Sequence, residues 1–124
     1  MADKPDLLTV ARLAPFLMEP LQGAFTVHER VHDQDATAFE RIAPRIRAIC
    51  GSGESKVAGE LMARLPALEI ISIMGVGYDG VDVAAAKARG VMVAHTPDVL
   101  NDDVADLALA LMLNVARRIP QADQ

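Results

Sequence analysis

The sequence predicts an α/β fold of the flavodoxin-like kind, in which a parallel five-stranded sheet carries helices on both faces. Five short apolar runs alternate with segments of helical spacing along the 124 residues, and this order implies right-handed crossovers between parallel strands. Hydrophobic residues make up 52% of the chain and aromatic residues 3%, so the core must be aliphatic, as buried parallel strands usually are. A final apolar stretch predicts a long helix that follows the sheet.

The composition excludes several classes of protein. A formal net charge of −5 without a basic cluster argues against a nucleic-acid partner. Cys50 is the single cysteine, so no intrachain disulfide can form and nothing points to an oxidising compartment. No apolar run reaches membrane-spanning length, and residues 1–6 lack the apolar segment of a signal peptide. We therefore expect a cytoplasmic protein with neither nucleic acid nor membrane as partner.

The first half of the chain contains three predicted strands, at residues 7–10, 25–28 and 48–50. Leucine and phenylalanine side chains at helical spacing predict a helix between the first two strands, with Pro15 in its first turn and Pro20 at its end. A second helix is expected to begin with Asp35 or Thr37 as its cap and to stop near Pro44.

The second half contains a helix at residues 57–65, a fourth strand at residues 68–74 and a fifth at residues 91–94. Between these two strands, Asp82 precedes an alanine-rich segment and is the predicted cap of a short helix. Gly90 is expected to close this helix, because glycine readily adopts the left-handed conformation found at helix ends.

A formal zinc-protease motif, H-E-x-x-H, occupies residues 28–32. Its chemistry requires both histidines on one face of a helix, where they share a metal ion. Here the motif continues a β-like run, and in a strand His28 and His32 would lie roughly 13 Å apart. We therefore predict a chance match and no metal site.

The loop Gly75-Val76-Gly77-Tyr78-Asp79-Gly80 follows the fourth strand, and its glycines allow a ligand to approach exposed N–H groups. The spacing G-x-G-x-x-G, with Asp98 about 20 residues further on, matches the dinucleotide fingerprint. In the true fingerprint, however, the helix begins inside the glycines. Here the helix begins at Asp82, and the carboxylates of Asp79 and Asp82 would oppose a pyrophosphate. A small-anion loop is the preferred interpretation, and a plain tight turn is the alternative.

A second glycine-containing turn, residues 51–56, follows the third strand. It lacks the spacing of a phosphate-binding loop, and Glu54 would face the phosphates. Because parallel sheets bind ligands at the carboxyl ends of their strands, this turn is a second candidate ligand-facing loop, with a bare turn as the alternative. His95, at the end of the fifth strand, is assigned no chemical role.

The last predicted helix has an excess of apolar surface. Asn101 is its predicted cap, and between Val104 and Ala116 only Asp106 and Asn114 are polar. A helix that is apolar on all sides must be covered on all sides. One sheet face cannot provide this cover, and the helix is too short to span a bilayer. A second subunit or further polypeptide is therefore expected to pack against it, so the 124 residues are not the whole functional unit.

Four segments closely resemble the D-isomer-specific 2-hydroxyacid dehydrogenases, and within that family most closely the glyoxylate/hydroxypyruvate reductase branch. They are residues 74–82, 90–93, 96–100 and 102–118. The resemblance is specific between Leu65 and Arg118 and diffuse before Leu65. It implies that residues 1–99 form a flavodoxin-like substrate domain, incomplete without the family's C-terminal helix, and that residues 100–124 cross into a cofactor domain absent from this chain.

The resemblance also implies a substrate site. Val76 and Gly77 would offer backbone N–H groups to the substrate carboxylate, with Gly75 in the same loop. Ser52 and Gly53, in the turn after the third strand, would line the same pocket.

For the cofactor, the resemblance places Val104 beside the nicotinamide, and it makes residues 104–116 a homodimer interface. The family reaction is hydride transfer between NADH or NADPH and a small 2-keto acid such as glyoxylate or hydroxypyruvate. The dinucleotide motif and the catalytic Arg, Glu and His of the family lie beyond the equivalent of Gln124. We therefore expect no catalytic residue in this chain, no reductase activity and no cofactor binding by the chain alone.

Two alternatives from other classes stay open. The chain could be a non-catalytic dimeric binding or assembly module. Less favoured is a mononucleotide-binding α/β domain that uses residues 75–80.

Overall fold

A five-stranded parallel sheet with strand order β2-β1-β3-β4-β5 forms the centre of the molecule. The computed structural model describes residues 3–118. The strands are β1 (Asp6–Thr9), β2 (Thr26–Glu29), β3 (Ile46–Ser52), β4 (Ile70–Met74) and β5 (Met92–Ala94). This is the strand order of flavodoxin-like sheets, and it confirms the predicted parallel sheet of five strands.

In the described residues 3–118, six α-helices accompany the sheet, together with a short 3₁₀ turn at Ala43–Arg45. They are α1 (Pro15–Ala24), α2 (Val31–Gln34), α3 (Ala36–Ile42), α4 (Gly59–Ala63), α5 (Val83–Ala88) and α6 (Asn101–Arg117). Within residues 3–118, none of these helices combines the length and hydropathy required to cross a membrane.

Two apolar cores lie on opposite faces of the sheet, because successive residues of a strand point to opposite sides. On one face, Leu7, Ala48 and Cys50 pack against α1. On the other face, side chains of β1, β3 and β4 pack against α3, α4 and α5. The fully buried members there include Leu8, Ile49, Ile71, Ile73, Phe39, Met62 and Ala86. Helices therefore cover both faces, as predicted.

Helix α1 differs from the predicted one at its end. Pro15 lies at its start as expected, but Pro20 lies inside the helix, which continues to Ala24. Proline at this position removes one backbone hydrogen bond of the helix. Leu17 and Leu21 on either side of Pro20 pack against the core below α1, and this burial outweighs the lost bond.

The predicted acidic caps are confirmed. The Asp35 carboxylate accepts a hydrogen bond of 2.9 Å from Ala38 N–H at the start of α3. Asp82 accepts one of the same length from Ala85 N–H at the start of α5. Gly90 ends α5 with φ of +69°, as its position predicted.

Helix α6 is long and apolar as predicted, but Asn101 is not its cap. The helix begins at Asn101, Leu100 occupies the cap position, and the Asn101 amide donates to the Asp98 carboxylate at 2.8 Å. No residue of α6 is buried by the described part of the chain, and Val115 is 80% exposed. Any part of the predicted 100–124 segment after Arg118 lies outside the described residues.

Candidate functional site

The two glycine-containing loops leave the same edge of the sheet from neighbouring strands. In the register of β3 and β4, Ser52 lies opposite Met74, so that the turn after β3 and the loop after β4 start side by side. Parallel strands present all their carboxyl ends at one edge, which is where ligands bind in this architecture.

The two loops touch through their backbones. A β-carbon at position 75 would lie 3.2 Å from both the N and the Cα atoms of Gly53. Gly75 also has φ of +151°, which side-chain-bearing residues rarely adopt. A β-carbon at position 53 would lie 3.5 Å from the carbonyl oxygen of Gly77. The structure therefore brings together the residues predicted to bind substrate: Ser52, Gly53, Gly75, Val76 and Gly77.

A short parallel bridge between Val57 and Val81 fixes the far end of the glycine loop. Val57 N–H donates to the Gly80 carbonyl at 2.9 Å, and Asp82 N–H donates to the Val57 carbonyl at 3.0 Å. The buried Ser55 hydroxyl tightens the turn after β3 by accepting a hydrogen bond of 2.8 Å from Ser52 N–H. Both loops are thus anchored at their ends.

The N–H groups of the glycine loop are not equivalent. Gly75 N–H donates to the Thr96 hydroxyl at 3.1 Å, so it is already paired. Within residues 3–118, no acceptor lies in hydrogen-bond range of the N–H groups of Val76 and Gly77. These two adjacent donors belong to the residues that the resemblance assigned to the substrate carboxylate. The N–H groups of Tyr78, Asp79 and Gly80 in the same loop likewise donate no hydrogen bond within residues 3–118.

His95, to which the sequence analysis assigned no chemical role, contacts this loop. Its Nδ1 atom lies 2.9 Å from the Val76 carbonyl oxygen, and its ring makes an edge contact with Tyr78 at a centroid distance of 4.7 Å. The available signal was its position directly after β5. Because β5 neighbours β4 in a parallel sheet, the residues that follow the two strands meet at the same edge.

Val104 lies on the first turns of α6 and reaches the same region. An apolar groove of about 550 Å³ is lined by Val76, Leu100, Asn101, Val104, Ala105 and Ala108. The predicted substrate residue Val76 and the predicted cofactor residue Val104 therefore share one groove. Its apolar walls are compatible with a flat aromatic ring such as nicotinamide.

Comparison with known proteins identifies the family. Residues 8–117 match the D-isomer specific 2-hydroxyacid dehydrogenase family, catalytic domain. The chain belongs to this family. This confirms the resemblance inferred from the sequence. Both glycine-containing loops lie within the residues that match the catalytic domain.

Individual 2-hydroxyacid dehydrogenases are similar over nearly the whole chain. The 2-ketogluconate reductase of Gluconobacter oxydans is 43% identical over 99% of this chain and 39% of its own length. Glyoxylate/hydroxypyruvate reductase B of Shigella flexneri is 36% identical over 94% of this chain and 36% of its own length.

Two crystal structures share the fold. The 2-hydroxyacid dehydrogenase of Ketogulonicigenium vulgare Y25 has a TM-score of 0.87 and 44% identity, over 98% of this chain and 38% of that one. The NADPH-dependent glyoxylate/hydroxypyruvate reductase of Sinorhizobium meliloti, in complex with NADP and malonate, has a TM-score of 0.82 and 40% identity. The match covers 98% of this chain and 37% of that one. The chain thus spans about two fifths of the length of these relatives.

The carboxylate of Asp79 lies beside the glycine loop of this 2-hydroxyacid dehydrogenase chain. An Asp79 carboxylate oxygen lies 3.8 Å from the position that a β-carbon on Gly77 would occupy. A carboxylate this close disfavours a highly charged group such as a pyrophosphate. The loop is therefore better suited to a carboxylate, held by neutral N–H donors, than to a pyrophosphate.

The two histidines of the H-E-x-x-H motif lie in different elements. His28 belongs to β2 and pairs with Asp6 at 2.6 Å, whereas His32 belongs to α2 and lies 3.3 Å from Asp33. The segment is thus a strand followed by a short helix and not the continuous strand expected from the sequence. No cluster of three metal-binding side chains occurs in the part of the chain that the structure describes.

Proposed function

We propose that this chain is the substrate-binding portion of an NAD(P)H-dependent 2-hydroxyacid dehydrogenase that acts on a small 2-keto acid such as glyoxylate or hydroxypyruvate. The observation that carries the proposal is the pair of N–H groups on Val76 and Gly77 without an acceptor in residues 3–118. Donors that are in place before a ligand arrives bind an anionic oxygen without the cost of reorganisation. Relatives named for reductases of glyoxylate and hydroxypyruvate support this substrate class.

The proposed division of labour follows the geometry. Val76 and Gly77 hold the substrate carboxylate, Gly75 supplies the backbone turn, and Ser52 and Gly53 close the other side of the pocket. In this proposal residues 1–99 are the substrate domain and residues 100–124 lead into a cofactor domain. Both assignments rest on the family's organisation and on the bounds of β1 to β5 and α6.

The cofactor would lie on the α6 side of the pocket. The apolar groove that Val76 shares with Val104 fits the uncharged face of a nicotinamide. A bound NADH or NADPH would supply the hydride. This chain's own contribution is to orient the keto acid, and the proposal assigns it no proton-transferring residue. The expected result for the purified chain is therefore substrate binding without turnover.

A nuclear magnetic resonance titration tests the proposal. Malonate added to the ¹⁵N-labelled chain should shift the Val76 and Gly77 amide signals in a saturable manner. Malonamide, which has the same skeleton without charge, is the matched control and should leave them unmoved. Glyoxylate should shift the same two signals. When NADPH is then added, the absorbance at 340 nm should not fall, because the chain alone does not oxidise NADPH. Shifts that map away from residues 75–77, or equal effects of malonate and malonamide, would refute the carboxylate site.

We further propose that the whole protein forms a homodimer through residues 104–116. The observation that favours it is that an apolar helix of 17 residues has no buried residue within the described chain. Large apolar surfaces that stay exposed on a monomer usually mark protein interfaces. Such association is also what a non-catalytic assembly module would show, so the malonate titration separates the two functions.

A further inference from the structure

We infer that His95 and Thr96 are positioning residues that aim the N–H groups of Val76 and Gly77 into the substrate pocket. The inference deepens the proposed function and rests on it. Both residues belong to the segment that follows β5, and both hold carbonyl groups of the loop that follows β4.

The hydrogen bonds define the arrangement. Thr96 N–H donates to the Gly75 carbonyl at 2.9 Å. The Nδ1 atom of His95 lies 2.9 Å from the Val76 carbonyl oxygen. Since a carbonyl oxygen can only accept, Nδ1 is the donor in this hydrogen bond.

The hydrogen bonds to the Gly75 and Val76 carbonyls also determine where the N–H groups of Val76 and Gly77 point. In a planar trans peptide, the C=O of one residue and the N–H of the next point in opposite directions, and residues 3–118 contain no cis peptide. Fixing the Gly75 carbonyl towards Thr96 therefore directs Val76 N–H away from the 95–96 segment. Fixing the Val76 carbonyl towards His95 directs Gly77 N–H away from the same segment. The two free donors emerge on the side opposite to their anchors.

Further contacts hold the anchors in place. Gly75 N–H donates to the Thr96 hydroxyl at 3.1 Å. Thr96 therefore forms hydrogen bonds with both the N–H and the carbonyl group of Gly75. The His95 ring packs edge-on against Tyr78 in the same loop. Ser72 and Ala94 are register partners in β4 and β5, which ties the 95–96 segment to the sheet just before these contacts. The donors are thus oriented by the sheet itself and not by the loop alone.

Loss of an anchor should weaken ligand binding without removing any group that touches the ligand. Without its carbonyl partner, the Val76–Gly77 peptide can rotate, and binding must then supply the ordering that the fold now provides. One net hydrogen bond corresponds to roughly a five- to tenfold change in affinity. His95→Phe keeps a ring beside Tyr78 but lacks the donor, whereas His95→Asn retains an N–H donor close to the place of Nδ1.

The experiment compares malonate dissociation constants for the wild type, His95→Phe, His95→Asn and Thr96→Val, followed at the Val76 and Gly77 amides. His95→Phe should bind about five- to tenfold more weakly, and His95→Asn should recover most of the loss. Thr96→Val, which removes only the hydroxyl that accepts from Gly75, should bind about threefold more weakly. The Val76 carbonyl ¹³C signal should move in His95→Phe even without malonate, which a remote structural defect would not cause.

The outcomes separate the inference from the proposed function. If the wild type does not bind malonate at Val76 and Gly77, both fail. If the wild type binds and His95→Phe and Thr96→Val bind equally well, the carboxylate site stands and the positioning role is overturned. The same conclusion follows if His95→Asn is as weak as His95→Phe. If His95→Phe shifts amide signals throughout the chain, its fold is disturbed, and the malonate dissociation constants of Thr96→Val and His95→Asn then test the positioning role. Wild-type affinity of Thr96→Val would overturn it.

Discussion

The carbonyl oxygen of Ser55 occupies the space that a β-carbon on Gly80 would need. Residue 80 can therefore be glycine and nothing larger unless the backbone moves, because the obstructing atom belongs to the main chain. This contact presses the end of the glycine loop against the end of the turn after β3. It explains how two loops that are separate in the chain form one wall of the candidate site.

Gly80→Ala should destabilise the chain by about 1–3 kcal/mol, the usual cost of overpacking. The effect would appear as a lower urea midpoint at an unchanged slope. Gly23→Ala on α1 is the matched control, since a β-carbon there would meet nothing within 4 Å. That substitution should stabilise the chain by roughly 0.5–1 kcal/mol through helix propensity. Equal stability of the two variants would contradict the contact.

Gly75→Ala should cost about 1–3 kcal/mol, because alanine is strained at a φ that is essentially restricted to glycine. The added β-carbon would also press against the backbone of Gly53 at 3.2 Å. Malonate affinity should fall as the loop shifts. Gly53→Ala is the control for stability alone, because its β-carbon would meet Gly77 only at an ordinary contact of 3.5 Å. A Gly75→Ala variant with wild-type stability and affinity would exclude this account of the loop.

His32 should titrate below its ordinary pKa of 6.5, because burial of its ring disfavours the charged form. The nearby Asp33 carboxylate opposes this shift, whereas the charges of Arg30 and Arg64 reinforce it. As the pH falls below about 6.5, the unfolded chain binds a proton at His32 before the folded chain does. Stability should therefore decrease as the pH falls from about 6.5 through the folded pKa.

Two measurements check the behaviour of His32. Its imidazole proton signals should show a titration midpoint below 6.5. His32→Leu should flatten the stability profile between about pH 7 and pH 5, since the titrating ring is gone. It also removes Nδ1, a buried atom without a hydrogen-bond partner in residues 3–118. A midpoint at or above the ordinary value would show that burial does not govern this residue.

Leu109→Lys combined with Leu113→Lys should abolish the proposed self-association through α6. The two leucines lie four residues apart on one side of the helix, and they are 56% and 59% exposed. Burying two ammonium groups in an apolar interface is strongly unfavourable. Sedimentation velocity should then show a monomer in place of a wild-type dimer. Glu19→Lys on α1 adds the same two units of positive charge and should leave association intact; a monomeric wild-type chain would contradict the proposal.

Local patterns were sufficient for much of the fold. The apolar runs predicted all five strands to within a few residues. Asp82 was the predicted cap of α5, and Asp35 was one of two candidates for α3, because an aspartate at a cap position accepts from an N–H three residues further on, as both do here. The same local reasoning failed at Pro20, where packing of Leu17 and Leu21 on the core keeps the helix intact. It also failed at Asn101, whose amide pairs with Asp98 and does not cap α6.

By itself the sequence determined the order of the strands and of the helices other than α2, the two glycine-containing loops, and the apolar character of α6, because these depend on periodicity and on neighbours within a few residues. The tertiary structure decided that Gly53 and Gly75 touch and that His95 holds the Val76 carbonyl. Those pairs are about 20 residues apart, and only the strand order brings them to one edge of the sheet. Which N–H groups remain free is therefore a property of the assembled sheet, since each backbone donor is paired or left unpaired by groups that are distant in the chain.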